Sequence, residues 1–198
     1  MILRTFIPYF LSFLFPVIFF FGDERVGEGR KLSAGLLPLH PKEEELLEWD
    51  MHRPLTWSDY KGSPDPESDA AASTTTYLAI EYNMKGTEFS YKIHSRFSCD
   101  KSWGLHKTDY ILSHEQGHFD IAEVYARLLH KKMSEYRFDP KTYRKDLKKI
   151  YDDVVKAKEE MQESYDKETN HSIYRAKQAE WLERIALTLK NTADYAGY

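Results

Sequence analysis

Residues 114–118 read His-Glu-Gln-Gly-His. On an α-helix each residue advances about 100°, so His114 and His118 stand about 40° apart, one turn along the same face. Two imidazoles so placed can bind one zinc ion. Glu115 lies about 60° around from His118, within reach of a metal-bound water without being a ligand. Zinc would lower the pKa of that water and the carboxylate would take its proton, which is the chemistry of a metal-dependent hydrolase. Both histidines fall on an apolar stripe with Ile111, Ile121 and Tyr125. An unpaired polar ring there is costly, so the pair is a metal site or two buried histidines bonded to other side chains. Gly117, a poor helix former, marks either a tolerated defect or a close approach by another backbone or a substrate.

Zinc usually needs a third protein ligand. From His114 to a turn signal at Asp139–Pro140 is 25 residues, and a second helix folding back antiparallel reaches the level of His114 at Ser164. The chain that leaves it, residues 165–171 (YDKETNH), should arrive beside the histidines and offers His171, Asp166 and Glu168. His171 is preferred, because it stands where a third helix begins and imidazole suits zinc. Asp166 is alternatively a residue that orients a ligand histidine. Glu123, nine residues beyond His114, points about 180° away, as a solvated or salt-bridged acid.

These residues need a long helix held against a sheet. The first helix is predicted over about 108–133, capped by Thr108 with Asp109 at its positive end. The second opens at Asp139–Pro140, an N-cap acid followed by an N1 proline, and carries Tyr143, Leu147, Ile150, Val154, Met161 and Tyr165 on one stripe. The third runs from about Ser172 to Leu189, with Trp181 and Ile185 on its apolar face. The basic stretch 144–149 lies mostly off the second stripe and reads as a solvated face. Upstream, Leu78, Ile80 and Tyr82, then Phe89, Tyr91, Ile93 and Phe97, occupy alternate positions around a Gly-containing turn. That is an antiparallel hairpin over about 74–98, with His94 facing solvent. One or two short strands fit 43–60. The fold class is α+β: a small antiparallel sheet packed with three long helices, the first of them zincin-like. Trp49, Trp57 and Trp103 read as core residues, and Tyr110, Tyr165 and Tyr174 as packing residues rather than oxyanion donors.

Composition bounds the partners. Seven of the 11 phenylalanines lie in the first 21 positions, in a charge-free run from Thr5 to Gly22 preceded by Arg4. Residues 1–22 therefore read as a signal peptide or a membrane anchor, at about 18 residues near the lower limit for spanning. No small-residue cleavage site follows directly. Residues 23–42 mix Gly, Pro and charge as a linker, 43–190 form one domain, and 191–198 a C-terminal tail. Beyond the leader the chain carries 32 acidic against 27 basic residues, which leaves no concentrated basic face for nucleic acid. A single cysteine, Cys99, excludes an intrachain disulfide and reads as a small buried or strand-end residue. The expected location is periplasmic, extracellular or membrane-anchored facing outside the cytoplasm.

Three blocks, RPLTWSDYKGSPD (53–65), HEQGHFDIAEVYARLL (114–129) and YDKETNHSIYRAKQAEW (165–181), occur in that order. Together they resemble a family of secreted bacterial proteins of unknown function to which zinc-dependent proteolysis is attributed. The resemblance spans roughly residues 45–190. It implies zinc at His114 and His118, a catalytic Glu115, and a shared role for the Asp166–His171 block. The expected function is an exported zinc metallopeptidase acting on a peptide or protein, with His114, His118 and His171 as ligands. Glu115 would act as general base and then pass the proton to the leaving amine. The hairpin edge could pair with an extended peptide. Two other readings remain: a non-catalytic metal-binding or envelope-interaction module, and a zinc hydrolase of a non-peptide bond.

Overall fold

The computed structural model describes residues 43–198 except 86 and 87, so the expected leader (1–22) and linker (23–42) lie outside the described residues. Period-two patterning produces β3 (Thr76–Lys85) and β4 (Glu88–Ser98), paired antiparallel with Ile80 opposite Ile93. A short β1 (Leu46–Glu48) pairs with the other edge of β4, giving the order β1-β4-β3. Two further short strands, β2 (Ala72–Ser73) and β5 (Trp103–Gly104), form a separate pair. Three helices follow: α1 (Asp109–Glu135), α2 (Tyr143–Thr169) and α3 (Arg175–Asn191). The class is α+β, and among the described residues no helix is long and apolar enough to cross a membrane.

Helix α1 is the centre of the molecule, because its faces join three apolar clusters. Ala126, Leu129 and Met133 meet Leu78 and Ile93 of the sheet and Leu147 and Val154 of α2. Phe119 packs with Leu55, Tyr60, Phe97 and Cys99. Ile121 packs with Tyr165 of α2 and Trp181 and Ile185 of α3. Thr108 caps α1 as expected, its side chain accepting a hydrogen bond from the Ile111 amide at 3.2 Å. Cys99 is fully buried just beyond β4. Of the three tryptophans expected in the core, Trp103 is buried while Trp49 and Trp57 are half-buried.

Several boundaries differ from expectation. Helix α2 begins at Tyr143 rather than at Asp139–Pro140. The Asp139 carboxylate accepts the Lys141 amide at 2.8 Å, which closes a turn instead of capping a helix. Helix α3 begins at Arg175, three residues later than expected. His94 is buried rather than solvent-facing, at 2% exposure. With β1 added, β4 is the central strand. Side chains from both neighbours close over His94: Nδ1 lies 2.9 Å from Glu48 Oε1 and Nε2 3.3 Å from Glu81 Oε1. The outer edge of β3 is already engaged at one point, where Tyr151 of α2 donates its hydroxyl to the Leu78 carbonyl at 2.6 Å.

The last residues dock on α1. His130 donates its Nδ1 proton to the Tyr195 carbonyl at 2.9 Å, and the Tyr198 hydroxyl donates to Glu123 Oε2. Glu123 points away from the histidine pair, as expected. It is buried and paired with Arg127, whose Nε donates to Glu123 Oε1 and whose Nη1 donates to the Leu189 carbonyl, both at 2.7 Å. Tyr198→Phe should leave one carboxylate oxygen of this pair without a donor. Losing a partner from a buried polar group costs about 1–3 kcal/mol. Thermal unfolding should show a lower midpoint, and an unchanged midpoint would mean that the Tyr198 hydroxyl bond contributes nothing to stability.

Candidate metal centre

Capping at Thr108 starts α1 early enough for residues 114–118 to lie in regular helix. Helix α2 returns antiparallel, and its last turns come level with the motif. There Asp166 Oδ1 lies 3.1 Å from His114 Nε2 and 3.0 Å from His118 Nε2. One atom from each of His114, His118 and Asp166 lies within 4.8 Å of the others, so the three could hold a metal ion. The chain therefore does arrive where the helix-length count placed it.

The structure does not bring His171 into that group. Its side chain is 70% exposed, and its Nδ1 approaches Asp166 Oδ1 only to 3.6 Å. The reason is local. Helix α2 ends at Thr169, and Asn170, His171 and Ser172 all take left-handed backbone, with φ of 49°, 50° and 71°. That turn carries the His171 side chain outward while its amide donates to the Asp166 carbonyl at 2.9 Å. Left-handed backbone costs a non-glycine residue about 1–2 kcal/mol. Here the Tyr110 hydroxyl pins the turn, donating to the Ser172 carbonyl at 2.6 Å. Glu168 turns to α3 instead, where its Oε2 accepts the Trp181 indole proton at 2.9 Å.

Each histidine is held differently. His114 stacks on Tyr165, with ring centres 4.5 Å apart at 24°, and the Tyr165 hydroxyl donates to the His114 carbonyl at 3.2 Å. Tyr165 also meets His118 edge-on at 5.1 Å. Gly117 explains how Tyr165 fits, since a Cβ there would lie 2.6 Å from its hydroxyl oxygen. The close approach expected at Gly117 is thus made by a side chain, not by backbone. Gly117→Ala should push Tyr165 off the His114 ring at an overpacking cost of about 1–3 kcal/mol. A lower unfolding midpoint, measured without added metal, would show it; a midpoint equal to the parent's would mean that the ring can yield.

His118 is gripped by Gln162 of α2, whose Nε2 donates to the His118 carbonyl at 2.9 Å while its Oε1 faces His118 Nδ1. An amide oxygen can only accept, so Nδ1 carries the proton. A neutral His118 then presents a bare Nε2 lone pair to the Asp166 carboxylate oxygen 3.0 Å away. Two acceptors at that distance need a cation between them, either a proton on Nε2 or a metal ion. Without a metal, burial works against charge on His118. The Asp166 charge and hydrogen bond, with help from Glu115, overcome it and raise the pKa to about 9. Asp166 is half-buried, and although desolvation works against its charge, the two histidines hold it well below the usual carboxylate range. Burial lowers the His114 pKa, and its Nδ1 is buried without a partner among the described residues. Ligand atoms around tetrahedral zinc stand about 3.3 Å apart, close to the two spacings from Asp166 Oδ1 to the histidine nitrogens. The residues fit a metal ion.

Glu115 lies beside this group, 4% exposed, and its Oε2 has no hydrogen-bond partner among the described residues. The hydroxyls of Tyr60 and Tyr165 are both pushed upward in pKa by burial and then by the Glu115 charge. The 53–60 block forms the wall on this side. Arg53 pairs with Asp59 at 2.7 Å, the Leu55 amide donates to Gln116 Oε1 at 2.8 Å, and Tyr60 shares a hydrogen bond with Thr74 at 2.8 Å. Sequence reasoning missed Gln162. Its position one turn before Asp166, on the helix that meets the histidines, is the signal that could have found it.

An α+β protein whose first and second helices bring two histidines and an aspartate around one point is the class these features define. The chain belongs to the family described as "Bacterial protein of unknown function (DUF922)", whose model matches residues 54–172. That span covers all three metal-group residues, Glu115 and Gln162. No curated protein and no solved structure matches the chain.

Proposed function

We propose that the chain is a zinc-dependent metallopeptidase acting outside the cytoplasm, with His114, His118 and Asp166 as the metal ligands and Glu115 as general base. The observation that carries this reading is the convergence of both Nε2 atoms on Asp166 Oδ1 beside the unpartnered Glu115 Oε2. Two imidazoles and one carboxylate are a zinc donor set that leaves a fourth position open. Bound there, zinc would lower the pKa of a water to about 7 and polarise the substrate carbonyl. Glu115 would accept the proton of the attacking water at Oε2 and then deliver it to the departing amine nitrogen. Burial keeps solvent from competing for that proton. The basic residue and apolar run at the start of the sequence support export, with either release or tethering through residues 1–22.

The test is the zinc content of the purified chain together with cleavage of a broad peptide panel. Stoichiometric zinc with cleavage supports the reading. No zinc sinks it. Zinc without cleavage of any peptide favours a metal-binding module or a hydrolase of another bond.

A further inference from the structure

We propose that Gln162 is a positioning residue that sets the tautomer of His118 and so keeps Nε2 open for a metal ion. This rests on the metal reading of the site. The two hydrogen bonds of Gln162 fix its own orientation: the amide nitrogen is committed to the His118 carbonyl, so the amide oxygen must face Nδ1. With Nδ1–H held there, the free lone pair is on Nε2, the atom that meets Asp166 Oδ1. Metal-ligating histidines commonly have their second nitrogen fixed in this way, and losing such a partner weakens metal binding about 10–100-fold.

His114 has no such partner. Its ring is held by stacking on Tyr165, and its Nδ1 is left unbonded among the described residues. The tautomer control of the pair therefore resides in one residue. When a metal ion replaces the proton on Nε2, the remaining ring proton stays on Nδ1, where Gln162 Oε1 accepts it. Without Gln162 that proton loses its acceptor, and the imidazole becomes a less well-oriented ligand.

The test compares the full chain with Gln162→Leu and Gln162→Glu, using the zinc ion as probe. Gln162→Leu should bind zinc about 10–100-fold more weakly. Its metal-free form should also lose the slowly exchanging Nδ1–H signal of His118 in the proton NMR spectrum. Gln162→Glu keeps an acceptor opposite Nδ1, so it should retain that signal and bind zinc nearly as well as the parent. A helix-packing role alone predicts a lower unfolding midpoint with no change in the Nδ1–H signal. Gln162→Leu with signal and zinc affinity intact overturns the proposal, as does Gln162→Glu binding as weakly as Gln162→Leu. If the parent binds no zinc, the metal reading fails separately, and the Nδ1–H signal alone decides: its loss in Gln162→Leu supports the clamp and its persistence overturns it.

Discussion

Glu115→Gln should retain zinc and lose hydrolysis by about 10²–10⁴-fold, the range that a positioned general base supplies. The substitution keeps shape and volume, so neither the 53–60 wall nor the histidine pair has cause to move. It removes only the capacity to take a proton at Oε2. Because Oε2 has no partner among the described residues, no hydrogen bond is broken and the folded state should be as stable as the parent or more so. Turnover of a cleavable peptide and zinc content measured on the same sample check this. Cleavage at the parental rate would remove Glu115 from the chemistry. Loss of zinc would instead show that the carboxylate serves the metal.

Asp166→Ala should abolish stoichiometric zinc, with a loss of affinity well over the roughly 100-fold that follows removal of a residue that only orients a ligand. Its Oδ1 is the atom on which both histidines converge. Removing it also leaves the two imidazoles facing each other, 4.9 Å between ring centres, without the carboxylate that joins them. His171→Ala is the control. With its side chain 70% exposed and its Nδ1 no nearer than 3.6 Å to Asp166, His171 should be dispensable for zinc binding. Zinc titrations of the two variants distinguish the assignments directly. Strong binding by Asp166→Ala together with weak binding by His171→Ala would return the third position to His171.

The contrast between those two residues shows what the sequence could and could not reveal. Helix spacing is periodic, so the histidine pair, the cap at Thr108 and the arrival of residues 165–171 beside the motif could all be read by counting. Choosing among the arriving residues required their phase. Asp166 lies on the last full turns of α2, in step with Gln162, and so faces α1. His171 lies past the helix end, where position follows backbone dihedrals rather than a period. Three successive left-handed residues there include no glycine to announce the turn. His94 is buried rather than solvent-facing for a separate reason: alternation identifies two faces of a strand but not how many neighbours it has. The short β1, three residues long, was too weak a pattern to show that β4 would be central. At Asp139–Pro140, the same residue types that open a helix also close a turn, and the Asp139 side chain bonds the Lys141 amide.

Helices α1 and α2 have equal length, 27 residues each, and are connected by the short turn between Glu135 and Tyr143. The motif sits near the start of one and Asp166 near the end of the other. Deleting a single residue between His118 and Glu135 would rotate the histidine pair by about 100° and slide it by about 1.5 Å relative to Asp166. No substitution at the centre itself would be involved. Changes in length are tolerable in the turn, where neither helix loses its phase, and destructive almost anywhere along the two rods. The spacing of the reactive groups is thus written as a count of peptide units, some 50 residues long, as much as in any contact the groups make.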